Sequence, residues 1–156
     1  MLRDSSLIPL SHQHHNALAL CVMTERELRQ DSSEAAVRRL AQRAVDRFDI
    51  ELVNHFEIEE GDLFPAIDRE LGRLAIVGEL IAEHRQIEGL IARLRTGPSA
   101  ALLVEFTSLL RRHIRREENE LFQDIQQRLP RSVLDEVGRA IDARAARVCL
   151  GSGQPG

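Results

Sequence analysis

The chain has no tryptophan, no tyrosine and only five phenylalanines among its 156 residues. It also has no lysine, so that all 21 of its basic side chains are arginine. Its two cysteines, Cys21 and Cys149, stand far apart, and Cys21 lies in the apolar run Ala17-Leu18-Ala19-Leu20-Cys21-Val22, where a thiol behaves as a small hydrophobe. A structural disulfide is therefore not expected. No stretch approaches the roughly 18 apolar residues that a membrane span requires, and residues 1–10 carry no apolar leader with a cleavage pattern. A soluble, cytoplasmic protein with no membrane partner is the expectation. Prolines (five) and glycines (nine) are sparse, and no β-branched alternation occurs, which argues against a sheet protein. Arg111, Arg112, Arg115 and Arg116 form the densest basic cluster, but Glu117, Glu118 and Glu120 follow at once and no aromatic residue is interleaved for base stacking. The cluster reads as a solvated helix face, and nucleic acid is not an expected partner.

What is present is an ordinary globular balance, 43% hydrophobic and 29% charged, in a chain long enough to bury a core without disulfides. Apolar residues recur at three and four, the period of helices. The first helix is expected from Ser11, as its N-cap, to about Gln30. The second is expected from about Ser33 to Leu71, kinked at Pro65 because proline has no N–H for the carbonyl of Gly61. A third should run from about Gly72 to Arg95 and a fourth from about Ser99 to Leu129, before Pro130. A shorter helix, from about Ser132 to Cys149, offers Val133, Leu134, Val137 and Ile141, either to the chain's own core or to a homodimer interface. Residues 1–150 read as one domain and 151–156 as a disordered tail. Short connections between long helices favour an all-α fold, an up-down-up-down four-helix bundle with an additional C-terminal helix.

One pattern is written twice. His55-Phe56-Glu57-Ile58-Glu59-Glu60-Gly61-Asp62-Leu63-Phe64-Pro65-Ala66-Ile67 and His113-Ile114-Arg115-Arg116-Glu117-Glu118-Asn119-Glu120-Leu121-Phe122-Gln123-Asp124-Ile125 both read H-x-x-x-E-E-x-x-L-F-x-x-I. Residues four apart share a helix face, so each copy stacks an imidazole and a carboxylate above an apolar stripe. Each copy also follows a helix with a histidine of its own, His84 in the third and one of His12, His14 and His15 in the first. The chain thus reads as a two-helix repeat with a pseudo-two-fold axis. Glu59 and Glu117 stand at about 40° from their histidines around the helix, against about 140° for Glu60 and Glu118. The first acid of each pair is the candidate metal ligand, and the second lies either at the rim of the site or behind a ligand histidine, which it would orient through the other ring nitrogen. In the first helix, the spacing from Leu10 to His14 matches that from Leu80 to His84, whereas the apolar residues after His15 match those after His84. His14 stands ahead of His15, with His12 third, and the choice stays open. One imidazole from each helix plus two bridging carboxylates would complete a dinuclear centre, and a metal offsets the cost of burying the acids.

The segments LSHQHHNALAL, HFEIEEGDLFP, EHRQI and HIRREENELF resemble the ligand helices of the hemerythrin-like, HHE cation-binding family, over about Leu10 to Leu129. The resemblance implies a four-helix bundle around a non-haem di-iron centre, bridged by carboxylates and an oxo or hydroxo group. His14 or His15, His55, Glu59, His84, His113 and Glu117 would be its protein ligands. It also shows departures. The oxygen-carrying members place a second histidine one turn after the third-helix histidine, where this chain has Glu88. They usually place an aspartate five residues after the last histidine, where this chain has Glu117 four residues on. Glu88 or water would then stand in for an imidazole, and reversible oxygen transport is not implied. A mixed imidazole and carboxylate set suits iron, with manganese second, better than calcium or structural zinc. The absence of tyrosine and tryptophan leaves no phenol or indole to be oxidised nearby. The expected function is to bind or sense oxygen, nitric oxide, peroxide or iron. The alternatives are an enzyme that reduces peroxide or nitric oxide and a metal-free interaction bundle.

Overall fold

Five helices account for nearly all of residues 2–151, the residues that the computed structural model describes, and no strand occurs among them. The first spans Ile8–Gln30 and is entered through a 3-10 turn, Ser5–Leu7, capped by Asp4, whose carboxylate accepts the Ser6 amide at 3.0 Å. It therefore begins before Ser11, which lies inside it. Pro9 falls in the first turn, where a missing donor has no helical partner to lose.

The second helix runs unbroken from residue 34 to residue 71. Its α-helical stretches Glu34–Arg47, Val53–Ile58 and Phe64–Leu71 alternate with two π-helical turns, Phe48–Leu52 and Glu59–Leu63. Ser33 caps it by accepting the Ala36 amide at 3.2 Å, and Gly72, at φ 77°, ends it in a conformation that suits glycine. Pro65, expected to kink the helix, falls just after the second π turn, near the start of a fresh α-helical stretch that tolerates it.

The third helix, Ala75–Thr96, follows the connection through Gly72. The fourth occupies residues 100–128, with Ser99 as its cap and the π turn Glu117–Leu121 between Ala100–Arg116 and Phe122–Arg128. The fifth, Arg131–Gly151, extends past Cys149 into the first residue of the segment read as a tail. The rest of that segment, 152–156, lies outside the described residues.

Each of the first four helices packs on the next and the fourth closes on the first, which is the up-down-up-down ring. Its interior has two apolar clusters. One gathers Cys21, Leu40, Phe48, Ile87, Phe106 and Leu110 with their neighbours. Burial there pushes the Cys21 thiol up to about 12. The other gathers Leu10, Ile58, Phe64, Leu80, Phe122 and Ile125, and the fifth helix buries Val133, Leu134, Val137 and Ile141 against it. The apolar stripe of that helix therefore lies inside the chain. The fifth helix also crosses the opening turn closely, because a Cβ on Gly138 would stand 2.9 Å from Ser6 Cβ. Along every helix of the ring, the polar residues that matter fall between the two clusters.

Candidate metal centre

Six buried polar side chains meet in that layer: His14, His55, Glu59, His84, His113 and Glu117, none more than 2% exposed. One imidazole comes from each helix and one carboxylate from each copy of the doubled pattern. Each π turn of the pattern opens on the inward acid, Glu59 in one and Glu117 in the other. π turns of this kind recur at functional sites.

The four Nε2 atoms and the four carboxylate oxygens face one another. Glu59 Oε1 lies 2.7 Å from His55 Nε2 and Glu59 Oε2 lies 3.0 Å from His84 Nε2. Glu117 Oε2 lies 2.7 Å from His14 Nε2 and Glu117 Oε1 lies 3.1 Å from His113 Nε2. Despite these distances none of the eight atoms makes a hydrogen bond, and all eight are buried. A buried carboxylate that accepts no hydrogen bond is costly, so the arrangement is one that a cation completes. The atoms sort into two ligand groups, one from His14, His55, Glu59 and Glu117 and the other from His84, His113, Glu59 and Glu117, each within 4.8 Å. Each carboxylate contributes one oxygen to each group.

The other ring nitrogens are held from outside. Nδ1 of His14 lies 2.7 Å from Glu118 Oε1, that of His84 2.8 Å from Glu60 Oε2, that of His113 2.7 Å from Glu83 Oε2 and that of His55 2.8 Å from Gln13 Oε1. Such contacts set ring orientation and leave Nε2 free for a metal. Phenylalanine rings close the layer: Phe64 stacks on His84 at 6.0 Å, Phe122 on His14 at 5.6 Å, and Phe56 on His84 at 3.8 Å.

The electrostatics follow the geometry. Burial alone would lower the histidines, yet the facing carboxylates win. Glu117, Glu118 and Glu59 hold His14 well above its ordinary 6.5, Glu59 and Glu117 raise His55, and Glu117 lifts His113 to about 9. Burial and the like charge of Glu117 push Glu59 up, but His55 and His14 outweigh them and hold it at about 2. Burial is outweighed in the same way at Glu117, which His113 and His14 keep well below the carboxylate range. The site attracts positive charge.

Of the residues singled out from sequence, six converge and one does not. His15 is exposed, as is His12, because a helix turns about 100° per residue and His14 faces inward. Glu88, considered as a substitute ligand, turns outward and binds Arg85 at 2.9 and 3.0 Å. The arginine cluster of the fourth helix is not wholly a solvated face, since Arg116 anchors Glu83 at 2.6 Å and Arg111 holds Glu25 at 2.6 Å. Gln13 and Glu83 were not singled out from sequence. Their signal was position, each being the residue immediately before an inward lone histidine.

Fold and site together define a metal-binding helical bundle. Over residues 8–125 the chain matches the family described as Hemerythrin HHE cation binding domain, and it belongs to that family. No significant match is found among curated proteins or solved structures. Among the described residues no helix is long and apolar enough to cross a membrane.

Proposed function

We propose that the centre holds two iron ions and that the chain is a cytoplasmic protein that binds or senses a small ligand through them: oxygen, nitric oxide, peroxide or iron itself. The observation that carries this reading is the division of eight buried ligand atoms that make no hydrogen bond into two sets, each of two imidazole nitrogens and two carboxylate oxygens. That donor set favours iron, with manganese second. Iron so held supplies one-electron redox chemistry and positions open to a small ligand. Glu59 and Glu117 would hold both ions, each pair of histidines would hold one ion, and Phe56, Phe64 and Phe122 cover the imidazoles. Glu88, which stands where the oxygen-carrying members place a second histidine, is turned to Arg85, so no second imidazole is offered from the third helix, which argues against reversible oxygen transport.

An enzyme reading, reduction of peroxide or nitric oxide, has one observation in its favour. A groove of about 590 Å³ is lined by Phe56, Glu60 and Arg85, and the first two touch His84.

Anaerobic purification and metal analysis, followed by absorption spectra on exposure to air and to peroxide, test the proposal. The expected result is about two irons per chain with near-ultraviolet oxo-to-iron bands after oxidation. No bound iron after reconstitution, or unchanged iron in a His55→Ala, His113→Ala double variant, overturns it. Many turnovers of peroxide per site would select the enzyme reading over the sensor.

A further inference from the structure

The outer contacts of the histidines obey the pseudo-two-fold axis. The residue just before each lone histidine reaches to the pattern histidine of its own half: Gln13 to His55 at 2.8 Å and Glu83 to His113 at 2.7 Å. The second acid of each pattern crosses to the lone histidine of the other half: Glu60 to His84 at 2.8 Å and Glu118 to His14 at 2.7 Å. Three of the four acceptors are carboxylates, each fixed by an arginine. Arg3 binds Glu118 at 2.7 Å, Arg116 binds Glu83 at 2.6 Å, and Arg85 binds Glu60. The fourth is the neutral carbonyl oxygen of Gln13, whose amide nitrogen faces Asn54 Oδ1 at 3.5 Å instead of an arginine.

This one substitution breaks the equality of the two metal positions. A carboxylate that accepts from Nδ1–H makes the imidazole a more basic ligand at Nε2 than a neutral carbonyl does, and such outer contacts are worth about 10–100-fold in metal affinity. The His84 and His113 position has two carboxylate-backed histidines. The His14 and His55 position has one, together with the Gln13-backed His55. The inner donors are otherwise matched. We infer that Gln13 is a positioning residue that makes the His84/His113 position fill first and tighter, and the His14/His55 position fill second and empty first. The inference rests on the dinuclear reading above. Between the two dissociation constants the chain holds a single ion, so occupancy of the second position follows metal supply, and this singles out iron itself from the ligands proposed above.

Titration of the metal-free full chain with Co2+, read by ligand-field absorption and calorimetry, tests it. The wild type should bind in two steps separated by about tenfold or more. His55→Ala should abolish the weaker step and spare the tighter. Gln13→Glu should strengthen the weaker step by about tenfold and draw the two together, and Gln13→Leu should weaken that step alone. Two ions bound with Gln13→Glu and Gln13→Leu leaving the weaker step unmoved, or shifting the tighter one, overturns the role of Gln13 while the dinuclear centre stands. Fewer than two Co2+ per wild-type chain overturns the dinuclear reading itself.

Discussion

The half of the bundle that holds residues 8–71 and the half that holds residues 75–128 place the same groups in the inner ring and different ones around it. His55 and Glu59 correspond to His113 and Glu117, and His14 to His84. Outside that ring Phe56 has Ile114 as its counterpart, Pro65 has Gln123, and Gln13 has Glu83. A π turn opens on the inward acid in both halves, although only one has a proline behind it. The π turn therefore belongs to the metal layer and not to the proline. The difference teaches where the chain is constrained: each inner carboxylate faces both ligand groups, so a change to either acid is felt by both, whereas an outer acceptor touches one histidine and can differ.

The strongest test of that comparison removes a bridge. Glu59→Ala and Glu117→Ala lie in opposite halves, yet each strips one oxygen from both positions, and both should lose nearly all bound metal by elemental analysis. Undiminished metal in either variant would contradict the shared role of the two carboxylates. Core truncation comes next. Phe106→Ala and Phe122→Ala, both fully buried, should each cost about 3–5 kcal/mol in urea unfolding. Only Phe122→Ala should also weaken metal binding, because that ring stacks on His14.

The pH dependence draws on both halves at once. In the metal-free chain His113 titrates at about 9 instead of 6.5, so its stabilisation is full below pH 6.5 and is lost as pH rises towards 9. Glu59, held at about 2 instead of 4.5, stabilises fully above pH 4.5, and that contribution is lost as pH falls towards 2. The metal-free Tm should therefore peak between these ordinary values and fall on either side. Ligand histidines must be deprotonated to coordinate, so the gain in Tm on adding metal should grow as pH rises through the same alkaline window. A metal-free Tm that climbs from pH 6.5 to 9 would contradict the geometry. The smallest effect concerns the opening turn, which only the first half possesses. Gly138→Ala, pressed against Ser6, should cost about 1–3 kcal/mol in thermal or urea unfolding without changing metal content.

Much of this was readable in advance for definite reasons. Helical period and the Ser33, Gly72 and Ser99 boundaries are local properties, and the helices follow them. The angle around a helix separated Glu59 from Glu60 and Glu117 from Glu118, and the inward acids are the first of each pair. The first helix starts ahead of Ser11 because its cap, Asp4, works through a short 3-10 turn that leaves no periodic signal in the sequence. His14 and His15 could not be separated from sequence, because neighbouring helical positions each had apolar companions in support.

What the amino-acid sequence by itself determined is the set of helices, the doubled imidazole and carboxylate pattern, and the family to which it belongs, all of which rest on spacing along one chain. The tertiary structure alone decided that His14 and not His15 faces inward, that Glu88 is turned away to Arg85, and that each inner carboxylate is shared between two ligand groups. It also decided which acceptor holds which ring: Gln13 meets His55 and Glu118 meets His14 across large separations in the chain. These are contacts between helices, set by how the two apolar clusters lock the bundle in rotation and register, and no spacing within one helix encodes them.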